Sequence, residues 1–327
     1  MFNDSVAAVT GGTGTWGSEL VRQLLSEGTK KVVVLSRNET SQVEMRRAFD
    51  DPRLNFCICD IRDKKAVASA LVGVDYVFHL AALKHVHICE EHPLEALKTN
   101  VIGTQNVIEA AIENGVKKVI NASTDKAVDP TNFYGMTKAV AEKLMVYANL
   151  LDLGTKFINV RSGNILGSNG SVLNLFLKDI YERNQVSITD RRMTRFFLTK
   201  EESAKLVLKA AMIGNGGEIF VMNLPACRII DLAEVLIEES GKTNVNIVEC
   251  GVRPGEKLDE KLISSQEVQK TFIYDKDCLV VLPDIPGLRQ HYSKCVPVKR
   301  RTYSSGESSM TKTEIKQMLV DGGFLKG

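Results

Sequence analysis

Through its first half the chain alternates short, nearly continuous apolar runs with stretches in which apolar residues recur every three or four positions. The runs are VAAVT from Val6 to Thr10, KVVVLS ending at Ser36, LNFCICD ending at Asp60, YVFHLAA from Tyr76, KVINAST from Lys118 and KFINVRS from Lys156. Their length and β-branched content predict strands. Between them, ELVRQLLSEG, PLEALKTNVIGTQNVIEAAIENG and the stretch after Tyr134 carry helical periodicity, each closing near a glycine or a turn. Strands that are apolar on both faces and alternate with helices predict a parallel sheet covered on both sides, a doubly wound α/β fold.

After Asn164 the pattern changes to longer polar stretches with scattered helices (TKEESAKLVLKAAMIG, IIDLAEVLIEESG), short strands (GEIFVMN, NVNIVEC) and a final helix near the C-terminus. No Pro/Gly/Ser-rich linker intervenes. The expected division is therefore a nucleotide-binding domain over 1–164 and a smaller α/β substrate-binding portion over 165–327, interleaved with the first.

Composition adds constraints. The formal net charge is +2, from 42 basic and 40 acidic residues, so no bulk field attracts nucleic acid and an anionic ligand must be caught by a few placed cations. No apolar run approaches the roughly 18 residues of a spanning helix, and the N-terminus enters a strand without a signal peptide. A cytoplasmic protein with no membrane or nucleic-acid partner is expected. The seven cysteines are read as reduced and mostly buried.

The first chemical signal is TGGTGTWG, which places Gly11, Gly14 and Gly17 between the first strand and the first helix. Glycines there permit a tight turn and let the backbone approach a pyrophosphate whose charge faces the helix N-terminus. The fold expectation thereby becomes Rossmann-like. A NAD site normally offers a carboxylate to the ribose at the end of the second strand. This chain has Ser36, Arg37 and Asn38 instead. A 2′-phosphate can pair with a guanidinium and hydrogen-bond a serine, so NADP is the expected cofactor. Asp60, ending the third apolar run, is placed to reach the adenine.

The second signal is STDKAVDPTNFYGMTK. Ligands of doubly wound sheets sit beyond the carboxyl ends of the strands, so Ser123, Thr124, Asp125 and Lys126 should face the nicotinamide end of the cofactor. Tyr134 and Lys138 lie one helical turn apart on one face. An ammonium beside a phenol lowers its pKa and helps it take a proton from a substrate hydroxyl. On residues alone, Asp125–Lys126 reads more readily as a structural ion pair at a strand end.

These motifs, together with SRNE, DIRD, HLAALKHV, RSGNILGSNGSV, ITDRRMTRFF and RPGEKLDE, run over most of the chain. It resembles the extended short-chain dehydrogenases/reductases and, within them, the UDP-N-acetylglucosamine 4,6-dehydratases of bacterial surface-sugar pathways. The Asp125–Lys126 dipeptide narrows the subfamily most. The resemblance implies that Tyr134 deprotonates the sugar O4 while hydride leaves C4, with Thr124 and Lys138 holding the oxygen and the ribose. Lys126 is then the base at C5 and Asp125 the acid at the departing C6 hydroxyl, which requires Lys126 to be partly neutral, as burial would favour. For the cofactor it implies the loop residues Thr13, Thr15 and Trp16 beside the three glycines. It adds Ile61, Ala81, Lys84 and Ser123, with Tyr134 and Lys138 at the nicotinamide end. For the UDP-sugar it implies Lys84, Asn164, Leu173, Thr189, Arg195, Arg253 and Glu256, the two arginines on the diphosphate. A homo-oligomer is expected. Ser162 and His87 depart from the family pattern, replacing a bulkier residue and a proline.

Four of the five histidines (His79, His85, His87, His92) lie close together with Cys89, but a strand and a loop-to-helix transition separate them, and no metal site is expected. Two other functions stay open: a UDP-sugar 4-epimerase or keto-reductase, which needs the tyrosine and cofactor but no C5 base, and a non-catalytic dinucleotide-binding protein.

Overall fold

The protein is described here from a computed structural model, over residues 2–307 and 309–325. Six parallel strands form the heart of its main sheet: β1 (Val6–Thr10), β2 (Lys31–Ser36), β3 (Leu54–Ile58), β4 (Tyr76–His79), β5 (Lys118–Thr124) and β6 (Lys156–Ser162). They lie in the order β3-β2-β1-β4-β5-β6. The order reverses between β1 and β4, and a crevice opens there at the strands' carboxyl ends. Alternate residues feed opposite faces: Ala7, Val9, Val32 and Val34 join one core, Ala8, Val33 and Leu35 the other. Helices cover both faces, as the doubly apolar strands require.

The chain past Asn164 contributes to two places. Ile219–Met222 adds to the main sheet parallel to β6, and Cys278–Val281, Thr271–Asp275 and Val296–Pro297 extend it antiparallel to ten strands. Elsewhere Val172–Arg183, Ile229–Ser240 and Lys312–Asp321 pack around Leu173, Phe176, Leu236 and Leu319 in a smaller core of their own. The space between this lobe and the strand ends is the crevice. Among the described residues no helix is long and apolar enough to cross a membrane.

Three elements end or bend where periodicity gives no warning. The third strand stops at Ile58, short of Asp60, because the Asp60 backbone and carboxylate turn to cap Asp63 and Arg62. The fourth stops at His79: the amides of Leu80 and Ala81 both donate to the Thr10 hydroxyl, each at 3.2 Å, which pulls the chain away from the ladder. The long helix after Pro93 carries a π-helical segment over Leu97–Ile102. There the Asn100 amide group accepts from Leu83 N–H and donates to Leu83 C=O and the Thr137 hydroxyl, tying the loop after β4 to the Phe133–Leu150 helix. Such segments concentrate at functional sites.

Candidate active site

A cleft of about 1420 Å³ runs along the strand ends from the glycine loop to the smaller lobe. At one end, Gly11 has φ +69°, and a Cβ there would lie 3.0 Å from the Ala81 backbone; one on Gly17 would lie 2.4 Å from the Gly11 carbonyl oxygen. The loop closes this tightly only because these residues are glycine. Two buried polar atoms on the cleft wall have no partner among the described residues: Trp16 Nε1 beside the loop and Ser123 Oγ at the end of β5. A buried donor left unsatisfied is costly unless a ligand supplies the acceptor. Both observations fit a dinucleotide lying over the loop with its pyrophosphate at the N-terminus of the Thr15–Ser26 helix.

Ser36, Arg37, Asn38, Asp60 and Ile61 line the same cleft. The Asp60 carboxylate is held by Arg62, with contacts of 2.6 and 2.9 Å, and Arg37 stands 3.9 Å off. Arg62 beside it holds the Asp60 carboxyl below the usual carboxylate range. With that carboxylate satisfied, the half-exposed Arg37 is left to a ligand. Ser36 Oγ accepts from Gln42 Nε2 at 3.0 Å, so its own proton is free to donate.

At the middle of the cleft the chain leaves β5 into a single tight turn over Asp125–Ala127. The Thr124 hydroxyl donates to Asp125 Oδ1 at 2.9 Å, and Lys126 Nζ donates to the same oxygen at 3.0 Å. Asp125 is fully buried behind the wall; Lys126 and Thr124 line it. Lys126 Nζ also donates to Asn164 Oδ1 at 3.3 Å and stands 3.6 Å from Glu260 Oε1. Burial lowers the lysine's pKa, but Asp125 and Glu260 outweigh it, and the net direction is upward. The sequence reading expected burial to favour a neutral amine; the two carboxylates reverse that.

Tyr134 and Lys138 begin the Phe133–Leu150 helix, capped by the Asn132 side chain, which accepts from Gly135 N–H at 2.8 Å. A Cβ on Gly135 would lie 2.2 Å from the Lys126 carbonyl oxygen, so the glycine lets the tyrosine's helix sit directly on the Asp125–Lys126 turn. Tyr134 lines the cleft; Lys138 is buried beside it without reaching the wall. Burial pushes the Tyr134 phenol up to about 12, opposed by the Lys126 ammonium and the Thr124 hydroxyl. Burial brings Lys138 down to about 8, with Glu142 working against it. Lys126, in the turn beneath the helix, is therefore a cation that acts on the phenol.

At the far end Asn164, Leu173, Thr189, Arg195, Arg253 and Glu256 all reach the cleft. Arg195 is largely engaged: its guanidinium donates to the carbonyls of Thr194, Lys257 and Leu258. Arg253 is exposed and makes no ion pair among the described residues. Its turn is fixed from behind, since the Gly255 carbonyl accepts from both Thr131 Oγ1, at 3.0 Å, and Asn132 Nδ2, at 2.9 Å. Lys84 Nζ donates to Asn169 C=O at 3.0 Å, pinning the Gly-rich loop before Leu173 to the cofactor side.

His79 does not join the other histidines. It is buried between the hydroxyls of Thr10 and Thr104, and burial brings it down to about 3. Two groups escaped the sequence reading. Glu260, next to Lys126, lies in the quoted RPGEKLDE stretch, where three acids in close succession were the available signal. The other is Arg161, whose guanidinium is gripped by Glu142 and Glu267 at 2.7 Å each. It ties β6, the tyrosine's helix and the C-terminal portion together.

The chain resembles known proteins in sequence and fold. The chain is 43% identical to a UDP-N-acetylglucosamine 4,6-dehydratase (inverting) of Campylobacter jejuni, over 84% of this chain and 82% of that one. It is 44% identical to a UDP-glucose 4-epimerase of Rickettsia rickettsii, over 83% and 81%. Among solved structures, Pen from Bacillus thuringiensis superposes with a TM-score of 0.94 at 38% identity, covering all of both chains. The family model described as polysaccharide biosynthesis protein matches residues 7–281. With that match over most of its length and relatives above 40% identity on either side of the dehydratase–epimerase divide, the chain belongs to the polysaccharide biosynthesis protein family, built on the extended short-chain dehydrogenase/reductase fold.

Proposed function

We propose that the protein is an NADP-dependent UDP-N-acetylglucosamine 4,6-dehydratase. The observation that carries the reading is Lys126 on the cleft wall with Tyr134, hydrogen-bonded at 3.0 Å to Asp125 directly behind it. An epimerase has to move hydride at C4 alone; a dehydratase also needs a base at C5 and an acid at C6. NADP, when bound over the glycine loop with its 2′-phosphate at Ser36 and Arg37, supplies the acceptor for the C4 hydride and the donor that returns it to C6.

The chain's own groups handle the protons. Tyr134, once deprotonated, is a strong base, because the burial that raises its pKa also sharpens its appetite for the O4 proton. Thr124 fixes Asp125 by its hydrogen bond. One proton shift from Lys126 Nζ to Asp125 Oδ1, along the existing hydrogen bond, creates a neutral amine and a carboxylic acid together. The amine then takes the C5 proton, whose electron pair is held as the enolate of the C4 ketone; the enolate next expels the C6 oxygen as the C5–C6 double bond forms. Asp125, behind the wall, passes its proton to that oxygen through the Thr124 hydroxyl, which lies between Asp125 Oδ1 and the cleft, and the oxygen leaves as water. Lys126 ends as an ammonium and Asp125 as a carboxylate, the state in which they began. Arg253 and the remaining donors of Arg195 hold the diphosphate. Exposed apolar side chains recur on two neighbouring helices, among them Leu97, Ile102, Met136, Val140 and Tyr147, which supports a homo-oligomer.

Incubation with UDP-N-acetylglucosamine and NADP, followed by proton NMR, tests the reading: a C6 methyl signal is expected, with its C5 configuration read from the same spectrum. The second reading, favoured by the Rickettsia relative, is a 4-epimerase. Inversion at C4 without a methyl signal would establish it and refute dehydration.

A further inference from the structure

We infer that Glu260 is a positioning residue for the C5 proton transfer: it supplies the negative charge that receives the newly formed Lys126 ammonium while Asp125 is occupied as the acid. This rests on the dehydratase reading, and the observations behind it are geometric. Glu260 is 2% exposed, its Oε1 stands 3.6 Å from Lys126 Nζ, and its Oε2 makes no hydrogen bond among the described residues. A carboxylate so thoroughly buried needs a partner. Its neighbours are Lys126 and, 3.8 Å from Oε2, Lys257, whose own ammonium is committed to the Val128 carbonyl at 2.7 Å. The Glu260 backbone is anchored on both sides, its N–H to Ser305 Oγ and its C=O to Ser305 N–H, each at 2.9 Å. The carboxylate is therefore held in place rather than left to find its own level.

The logic follows from charge balance across the step. At rest, Asp125 and Glu260 both face the Lys126 ammonium. Once the proton has moved to Asp125, that residue is neutral and can no longer stabilise positive charge. The C5 proton arrives at Lys126 before Asp125 has given its own away to the leaving oxygen. At that moment the cleft holds a new ammonium and an enolate-like sugar; Asn164 Oδ1 still accepts from the lysine but is neutral, and the other charged or titratable groups facing it cannot help. Arg195 from the Thr194–Leu198 strand and Lys257 from the C-terminal turn are cationic, and Tyr134 is engaged at O4. Glu260 is the anion left. It strengthens Lys126 as a base at the point where Asp125 cannot.

The test uses the full-length protein loaded with NADP and given UDP-N-acetylglucosamine in deuterated water. In Glu260→Gln, which preserves shape and removes charge, exchange of the C5 proton should fall by about ten- to a hundredfold, the loss of one charge-assisted contact. UDP affinity by calorimetry and hydride transfer from C4, followed by absorbance of the reduced nicotinamide, should hold at wild-type values. A C5-deuterated substrate should show a larger isotope effect on turnover than in the wild type. Glu260→Asp, which keeps the charge but draws it back by one methylene, should recover part of the exchange. Should the glutamine variant misfold, the aspartate variant carries the test alone, with slowed exchange and unaltered hydride transfer. Exchange at the wild-type rate in both variants, or exchange and hydride transfer lost in parallel, would overturn the role given to Glu260. Absence of C5 exchange in the wild type would instead bring down the dehydratase reading, and this inference with it.

Discussion

Gly135→Ala is the smallest change that should separate the tyrosine from its task. The added Cβ would sit 2.2 Å from the Lys126 carbonyl oxygen, and real Cβ atoms essentially never come within 3.0 Å of another heavy atom. The obstacle is backbone, so it cannot swing aside, and the start of the Phe133–Leu150 helix must retreat by about 0.8 Å relative to the Asp125–Lys126 turn. Tyr134 is the preceding residue and moves with it. A misplacement of about 1 Å at a reacting group costs on the order of a hundredfold in rate, and overpacking at such a contact costs about 1–3 kcal/mol of stability. The expected outcome is a folded protein with kcat reduced ten- to a hundredfold and a lower denaturant midpoint. NADP affinity should fall far less than kcat, because the glycine loop and Arg37, which would hold the pyrophosphate and the 2′-phosphate, lie away from the displaced helix. Turnover of UDP-N-acetylglucosamine by NMR, urea unfolding and calorimetry with NADP measure the three quantities. Wild-type kcat in a variant whose stability has dropped would show that the helix absorbs the Cβ without moving Tyr134, and would refute the claim that Gly135 sets the tyrosine's position.

Three further outcomes are expected. Arg37→Ala should weaken NADP by about tenfold or more while leaving NAD nearly unchanged, since only NADP offers a 2′-phosphate to the guanidinium; competitive binding of the two cofactors checks it. Arg253→Ala should raise the dissociation constant for UDP by about ten- to a hundredfold without touching NADP, the cost of one charge-assisted contact, as calorimetry would show. His79 has its folded pKa brought down to about 3 from 6.5, so its contribution is present in full above about pH 6.5 and is lost as pH falls toward about 3, where the unfolded chain binds a proton that the folded protein refuses. Unfolding free energy should therefore fall more steeply over that window in the wild type than in His79→Gln, and parallel profiles would contradict this.

The six strands and the glycine turn were legible because their causes are local. Near-continuous apolar runs have one economical solution, and a glycine triplet between strand and helix has few uses. What escaped depended on partners far away in sequence. The third and fourth strands end early through side-chain contacts of Asp60 and Thr10 that no periodicity encodes. Glu260 looks like one more surface acid in an acidic stretch until the fold brings it to Lys126. The charge state of Lys126 was misjudged for the same reason: burial is readable from an apolar strand, but the number of carboxylates around the ammonium is not. Similarly, Tyr-x-x-x-Lys suggests a shared helix face, but nothing in that spacing shows that Lys126, from the turn beneath, also bears on the phenol.

The shared carbonyl of Gly255 has a thermodynamic consequence. It holds both the cap of the tyrosine's helix and the turn that presents Arg253, so in the proposed reaction the guanidinium that would grip the diphosphate and the phenol that would take the O4 proton hang from one point. Interaction energy gained on the non-reacting half of the substrate is thereby available to align the reacting half, rather than merely to raise occupancy. A truncated sugar phosphate that cannot engage Arg253 should accordingly lose turnover at saturation, beyond any loss of affinity, because the enzyme would bind it with the scaffold of its own tyrosine less firmly set.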